Sequence, residues 1–261
     1  MRPHPISTAA RLAAPLAVLG LLACAPKASH AEADPGPAAT TAPAARPTKA
    51  DFEWSGAAAH VEVSTVLGDV RVVRSSGKEV RIRATKSGKD AGEVRIEADA
   101  KGDRVVVAPQ YPKRGDNDAR VDFVVEVPDG TTVEAQAVNG EIEAKGITAA
   151  LSLATVQGSI TTSECGDVRG NTVNGRVKVE LPQRGGKRIE LEAVNGELEL
   201  RMAADTGARV QANTVSGQID SDFPLARGKE IVGSHASGTL GDGSTKVELS
   251  TVNGGIKIKR A

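Results

Sequence analysis

The chain has 261 residues, 33 basic and 33 acidic side chains and so no net charge, and five aromatic residues in all: one Trp, one Tyr and three Phe. Neutrality removes the electrostatic case for a nucleic-acid partner. Five rings can neither girdle an outer-membrane barrel nor stack the bases of a single strand, and an enzyme core of this length normally leans on aromatic bulk.

The N-terminus reads as an export signal. Arg2 and Arg11 give it positive charge, and Leu12–Ala23 is a twelve-residue uncharged run, too short to cross a bilayer as a helix. It ends in Leu21-Leu22-Ala23-Cys24, which resembles the bacterial lipobox. That resemblance implies cleavage before Cys24 and lipidation of its thiol, with residues 1–24 as a lipoprotein signal peptide. Ala25 after the cysteine fits outer-membrane sorting by analogy with enteric bacteria. The alternative is cleavage after Ala31, which would release a soluble periplasmic protein. Residues 25–50 hold ten alanines and five prolines without apolar periodicity. Such a segment cannot bury enough surface to offset its ordering, so it is expected to be an extended tether.

From Asp51 onward the pattern is short apolar-polar alternation broken by Gly, Asn and Asp, the period-two signature of half-buried strands. Residues 51–128 are the less regular part and hold Phe52, Trp54, Tyr111 and Phe123. They are expected to form an N-terminal β-module capping one end. Residues 129–261 are expected to form a β-strand-repeat solenoid. Its C-terminal strand, Ile256-Lys-Ile-Lys-Arg260, is expected to be an edge protected by lysines.

One glycine recurs in the same setting eight times: Gly68, Gly140, Gly158, Gly175, Gly196, Gly217, Gly238 and Gly254. An apolar residue stands two before and two after each. Thr stands three before in five copies, and Asn directly before in four. Asn-Gly between apolar runs is a strong hairpin signal. However, Leu67, Gln157, Ser216 and Ser237 occupy the Asn position elsewhere and do not favour a type I′ turn. The position two before glycine, apolar throughout, is expected to be buried. Stacked coils satisfy both points, because each position packs on its equivalent in the next repeat. The expected fold is therefore all-β: a parallel β-helix-like solenoid of roughly 17–21-residue repeats. An antiparallel hairpin array or sandwich is the alternative.

The repeats Ala137-Val-Asn-Gly-Glu-Ile142, Thr172-Val-Asn-Gly-Arg-Val177, Ala193-Val-Asn-Gly-Glu-Leu198 and Leu249-Ser-Thr-Val-Asn-Gly-Gly-Ile256 resemble the bacterial β-strand-repeat "putative adhesin" family of unknown function, related to autotransporter-adhesin head domains. The resemblance covers roughly residues 60 to 261 and implies an envelope-located β-solenoid. It brings no catalytic residues.

Signatures of chemistry are sparse. There is no His-Glu-x-x-His, Cys-x-x-Cys, P-loop or Gly-x-Ser-x-Gly. His4 and His30 lie in the signal and tether, His60 and His235 are expected to be surface residues, and Cys165 is expected to be an inert thiol at a turn. Asp220-Ser-Asp222 and Asp116-Asn-Asp118 are the best acidic clusters, expected to serve turns and solubility. Arg114-Gly-Asp116 matches the integrin-binding tripeptide and, with no host-directed context beside it, is read as a coincidence. No metal or cofactor is expected. The function expected is a non-enzymatic, envelope-anchored binding or structural module. Its partners would be a membrane, through the lipid, and a protein or glycan, not nucleic acid. The alternatives are an enzyme acting on envelope polysaccharide near Asp220, or an envelope-stress accessory protein.

Overall fold

The computed structural model describes residues 51–112, 117–181, 186–229 and 233–261. Cys24, the signal and the tether lie outside the described residues, as does Arg114-Gly-Asp116.

Among the described residues twenty-one strands follow one another. The first seven are β1 (Phe52–Gly56), β2 (His60–Leu67), β3 (Val70–Arg74), β4 (Val80–Ser87), β5 (Arg95–Lys101), β6 (Arg104–Gln110) and β7 (Arg120–Val127). Next come β8 (Thr132–Asn139), β9 (Ile142–Lys145), β10 (Leu151–Gln157), β11 (Ile160–Ser163), β12 (Val168–Asn174), β13 (Val177–Glu180), β14 (Arg188–Asn195) and β15 (Leu198–Met202). The last six are β16 (Ala208–Ser216), β17 (Ile219–Ser221), β18 (Ala226–Lys229), β19 (Ser234–Leu240), β20 (Thr245–Asn253) and β21 (Ile256–Arg260). A 3-10 turn at Ala91–Glu93 is the only helical element among the described residues.

Each repeat except that of Gly238 contributes one strand to each of two sheets. Sheet I has eleven strands in the order β18-β19-β16-β20-β14-β12-β10-β8-β2-β6-β5. Sheet II has ten, in the order β1-β4-β7-β3-β9-β11-β13-β15-β21-β17. Successive coils pair in parallel and in register: Thr155 beside Thr172, Ile160 beside Val177. The Asn-Gly pairs are not hairpins. At each, the glycine N–H donates to a carbonyl of the neighbouring coil, as Gly140 does to Gln157 and Gly175 to Asn195. The ladder runs between coils around a corner, and the fold is the expected β-solenoid.

The inner faces meet in one continuous core from Val61 to Ile258. Leu153, Leu191 and Val210 of sheet I and Ile160, Leu198 and Ile258 of sheet II are fully buried in it. A repeated layer admits Val, Ile, Leu and Ala, and the rings are confined to the ends. Phe52, Trp54, Tyr111 and Phe123 pack at one end. Phe223 closes the other, with the Arg260 guanidinium 5.4 Å from its ring centroid.

The order of coils in space departs from their order in sequence. The coil β20–β21 lies between β14–β15 and β16–β17, paired on both sides. Likewise β2–β3 lies between β6–β7 and β8–β9. Thus β21 is an interior strand, not the expected edge, and its lysines serve neighbours instead. Antiparallel strands cover both ends: β4 on β7 and β5 on β6 at one, β19 on β16 at the other.

Candidate docking face

Seven of the eight repeat glycines form a single column. A Cβ on Gly140, Gly158, Gly175, Gly196, Gly254 or Gly217 would fall within 1.8–1.9 Å of the carbonyl oxygen of the glycine before it in the stack. A Cβ on Gly68 would fall 2.0 Å from the Val121 carbonyl, because Val121 holds this place in the end coil. Gly238 is outside the column. It pairs with Val210 in the antiparallel strand β19, and a Cβ there would meet the Leu225 side chain at 2.9 Å.

The threonine three before glycine explains the rest of the motif. Thr155, Thr172, Thr214 and Thr251 donate their hydroxyls to the carbonyls of Gly140, Gly158, Gly254 and Gly196 at 3.0–3.3 Å, and Thr65 donates to Val121. All five are buried. Each hydroxyl satisfies an oxygen that the close approach of two backbones has shut away from water.

The valine two before glycine, expected to be inside, is outside. Val66, Val156, Val173, Val194, Val215 and Val252 are 39–52% exposed. The corner is the reason. Alternation along a strand sends the threonine inward and the valine outward, and the bend at glycine resets the phase before the next inward residue. Register aligns the valines, since Thr172 pairs with Ala193 and Asn174 with Asn195 on either side of Val173 and Val194. With the half-buried Val138 they form a seven-rung column across seven adjacent strands of sheet I.

The flanking columns are nearly free of charge. On the corner side run Leu67, Asn139, Gln157, Asn174, Asn195, Asn253 and Ser216; there Asn195 donates to the Asn174 side chain at 3.0 Å and Asn253 to Asn195 at 2.9 Å. On the other side run Ser64, Gln136, Ala154, Asn171, Glu192, Ser250 and Asn213, in register. Glu192 is the single charge in the three columns. At the chain's 25% charged content roughly five would be expected.

The outer face of sheet II has the opposite character. Arg71 meets Glu143 at 2.7 Å, Arg176 meets Glu197 at 3.5 Å, and Lys257 meets Glu197 at 2.5 Å. Its hydrogen bond from Arg201 draws the Glu199 carboxyl below the ordinary carboxylate range. This face is solvated and self-neutralised, as expected for the positions after glycine.

Hollows lie near the ends among the described residues. A trough of about 1140 Å³ lies among Ala57–Ala59, Arg74–Lys78, Gly102–Asp103 and Pro128–Thr131, and Arg74 pairs with Asp129 in its wall. A smaller one of about 350 Å³ is lined by Asp220, Arg227, Ser234 and His235 among others. Asp222 does not line it: Lys259 Nζ at 3.3 Å and the Arg260 N–H at 3.2 Å hold its carboxylate, which lowers its pKa. The two acidic groups therefore do not converge there. His60 lies 3.9 Å from Asp103, and it and His235 sit towards opposite ends of sheet I. Cys165 is fully buried, with its thiol donating to the Ser163 carbonyl at 3.3 Å, and burial pushes its pKa up. Among the described residues no three His, Cys, Asp or Glu side chains gather where they could hold a metal ion.

Fold and face define a class: a two-sheet parallel β-solenoid, closed at both ends by antiparallel strands, with ion pairs on both outer faces, such as Arg169–Glu190 and Lys246–Glu248 on sheet I, and a strip nearly free of charge along the corner edge of sheet I. The family model Toastrack DUF4097 matches residues 49–259, and the chain belongs to that family, whose function is unknown. Among solved structures the chain is similar to a putative cell adhesion protein from Clostridium sporogenes, at 16% identity over 80% of this chain and 99% of that one, with a TM-score of 0.47. It is also similar to a putative adhesin from Bacteroides fragilis, at 12% identity over 80% and 96% of the chains, with a TM-score of 0.35. No curated protein matches it.

Proposed function

We propose that this protein is a lipid-anchored component of the bacterial cell envelope, held at the outer membrane through Cys24 and a tether over residues 25–50. Its β-solenoid acts there as a non-enzymatic, adhesin-like docking module for a protein. The observation that carries this reading is the valine column and its uncharged borders. A stack that laces sheet II and the rest of sheet I with ion pairs leaves one strip about 30 Å long without them. Depletion of charge around exposed aliphatic side chains is the composition of an interface centre, and apolar rows left in water otherwise carry a solubility cost. A protein suits this face better than a glycan, because no aromatic ring stands in the three columns for a sugar to stack on.

Two measurements test the two halves of the reading. Cys24→Ala is expected to move the protein from the membrane to the soluble fraction; unchanged fractionation would overturn the anchor. A photo-reactive p-benzoylphenylalanine replacing Val173 in cells is expected to give covalent protein adducts on irradiation, whereas the same group replacing the exposed Thr161 of sheet II gives none. Absence of any adduct from Val173 would overturn the docking face.

A further inference from the structure

Resting on that docking face, we infer that its partner is a second copy of this chain, bound face to face about a two-fold axis with Val173 at the centre. Pitch is the first reason. The valines rise one strand spacing per rung, about 4.8 Å, over seven rungs. A second copy presents the same row at the same spacing, so methyl groups meet methyl groups along the whole column. A partner that matches it must itself be a sheet carrying an exposed aliphatic column, and a second copy is one.

Charge is the second reason. A two-fold interface sets each patch against itself, so any charge in it meets a copy of its own patch. Here only Glu192 is charged, on the fifth of the seven rungs and off the central column. A two-fold axis through the Val173 rung sets Glu192 opposite either the third-rung Ala154 or the amide of Asn195, never opposite another carboxylate. The remaining polar groups in the patch are hydroxyls and amides, which donate and accept and can pair with their own copies.

Area sets the strength. Seven strand spacings by four residues give a patch of about 420–470 Å² per copy, or about 850–950 Å² in the pair. Stable interfaces bury about 1,200–2,000 Å². The dimer is therefore weak in dilute solution and forms where copies are concentrated, as two anchors in one membrane concentrate them.

The test uses the full chain in cells, co-produced in two versions with different tags and with p-benzoylphenylalanine at Val173. Irradiation is expected to give a product of twice the chain's mass carrying both tags. Adding Val194→Lys, which buries an ammonium in the interface, is expected to reduce that product roughly tenfold or more. The same substitution is expected to leave the melting temperature of the purified protein unchanged, because Val194 is already 42% exposed. Adducts that carry only one tag and a different protein would overturn the homodimer and leave the docking face standing. A doubly tagged product insensitive to Val194→Lys would overturn the inference as well, since it would not come from the column. No adduct of any kind would remove the docking face itself.

Discussion

A methyl group added at Gly175 would fall 1.8 Å from the Gly158 carbonyl oxygen, and both atoms belong to backbones locked in register with their neighbours. No side chain can swing aside to relieve that contact. Gly175→Ala is expected to cost at least about 3 kcal/mol, read as a collapse in thermal unfolding temperature. Gly238→Ala, outside the column and facing the end of the Leu225 side chain, should cost less. The threonine stitch gives the opposite kind of prediction. At Ala137 and Ala193 the repeat lacks its hydroxyl, although both positions are buried and in register with threonines on adjacent strands. Ala193→Thr is expected to stabilise the protein by about 0.5–1.5 kcal/mol by giving the Gly175 carbonyl a donor; a lower melting temperature would show that the stitch adds nothing. The Thr-Val-Asn-Gly motif was legible as a repeat from the residues alone, and so was the need for glycine. The side on which the valine lies was not. Period two, carried straight through the glycine, puts residues two before and two after it on one face; only the corner separates them. An apolar residue that the pattern sends inward and the fold sends outward is the kind of local conflict that marks a functional surface.

At the scale of strands, the departure from sequence order has a physical logic in the charges of sheet II. Lys257 lies beside Glu199 on one side and Asp220 on the other, while Lys259 neighbours Arg201 and pairs with Asp222. Were β17 stacked directly on β15, Asp220 would stand beside Glu199, and like charges directly opposite are destabilising. The inserted C-terminal coil places Lys257 between the two carboxylates. Repeat spacing could predict coils but not this order, which depends on pairing across about forty intervening residues. The consequence differs from that of an ordinary solenoid, where removing the last repeat shortens the stack by one layer. Deleting β20 and β21 by truncation after Ser244 removes an interior layer and leaves β16 without its parallel partner. Amide hydrogen exchange is expected to rise throughout residues 208–240, not only at the new terminus. Full protection of β16 in the truncated chain would show that β16 can pair with β14 directly.

At the scale of the whole molecule, the end caps and the chemistry of the ionisable groups set how the stack responds to pH. The carboxylates of Glu199, Asp222 and Asp242 are all drawn below their ordinary values of 4.5, 3.8 and 3.8, by hydrogen bonds from Arg201, from the Arg260 backbone and Lys259, and from Ser244 respectively. A carboxylate with a lower pKa folded than unfolded adds stability that is complete above the unfolded value and lost as pH falls through the folded one. Acidification below about pH 4.5 should therefore destabilise the stack. These groups lie in or near solvent, so the loss should be gradual and reduced by salt. Cys165 acts at the other limit. Burial raises its pKa above the ordinary 9.0, so the unfolded chain releases that proton first and stability declines as pH rises past that value. The melting temperature is thus expected to be level from about pH 5 to about pH 9 and to fall on both sides. Replacing Cys165 with Val should lift the alkaline decline attributable to the thiol and leave the acid limb in place. A melting temperature that rose between pH 5 and pH 3 would contradict the carboxylate assignments. An alkaline limb unchanged in Cys165→Val would assign that decline to other groups.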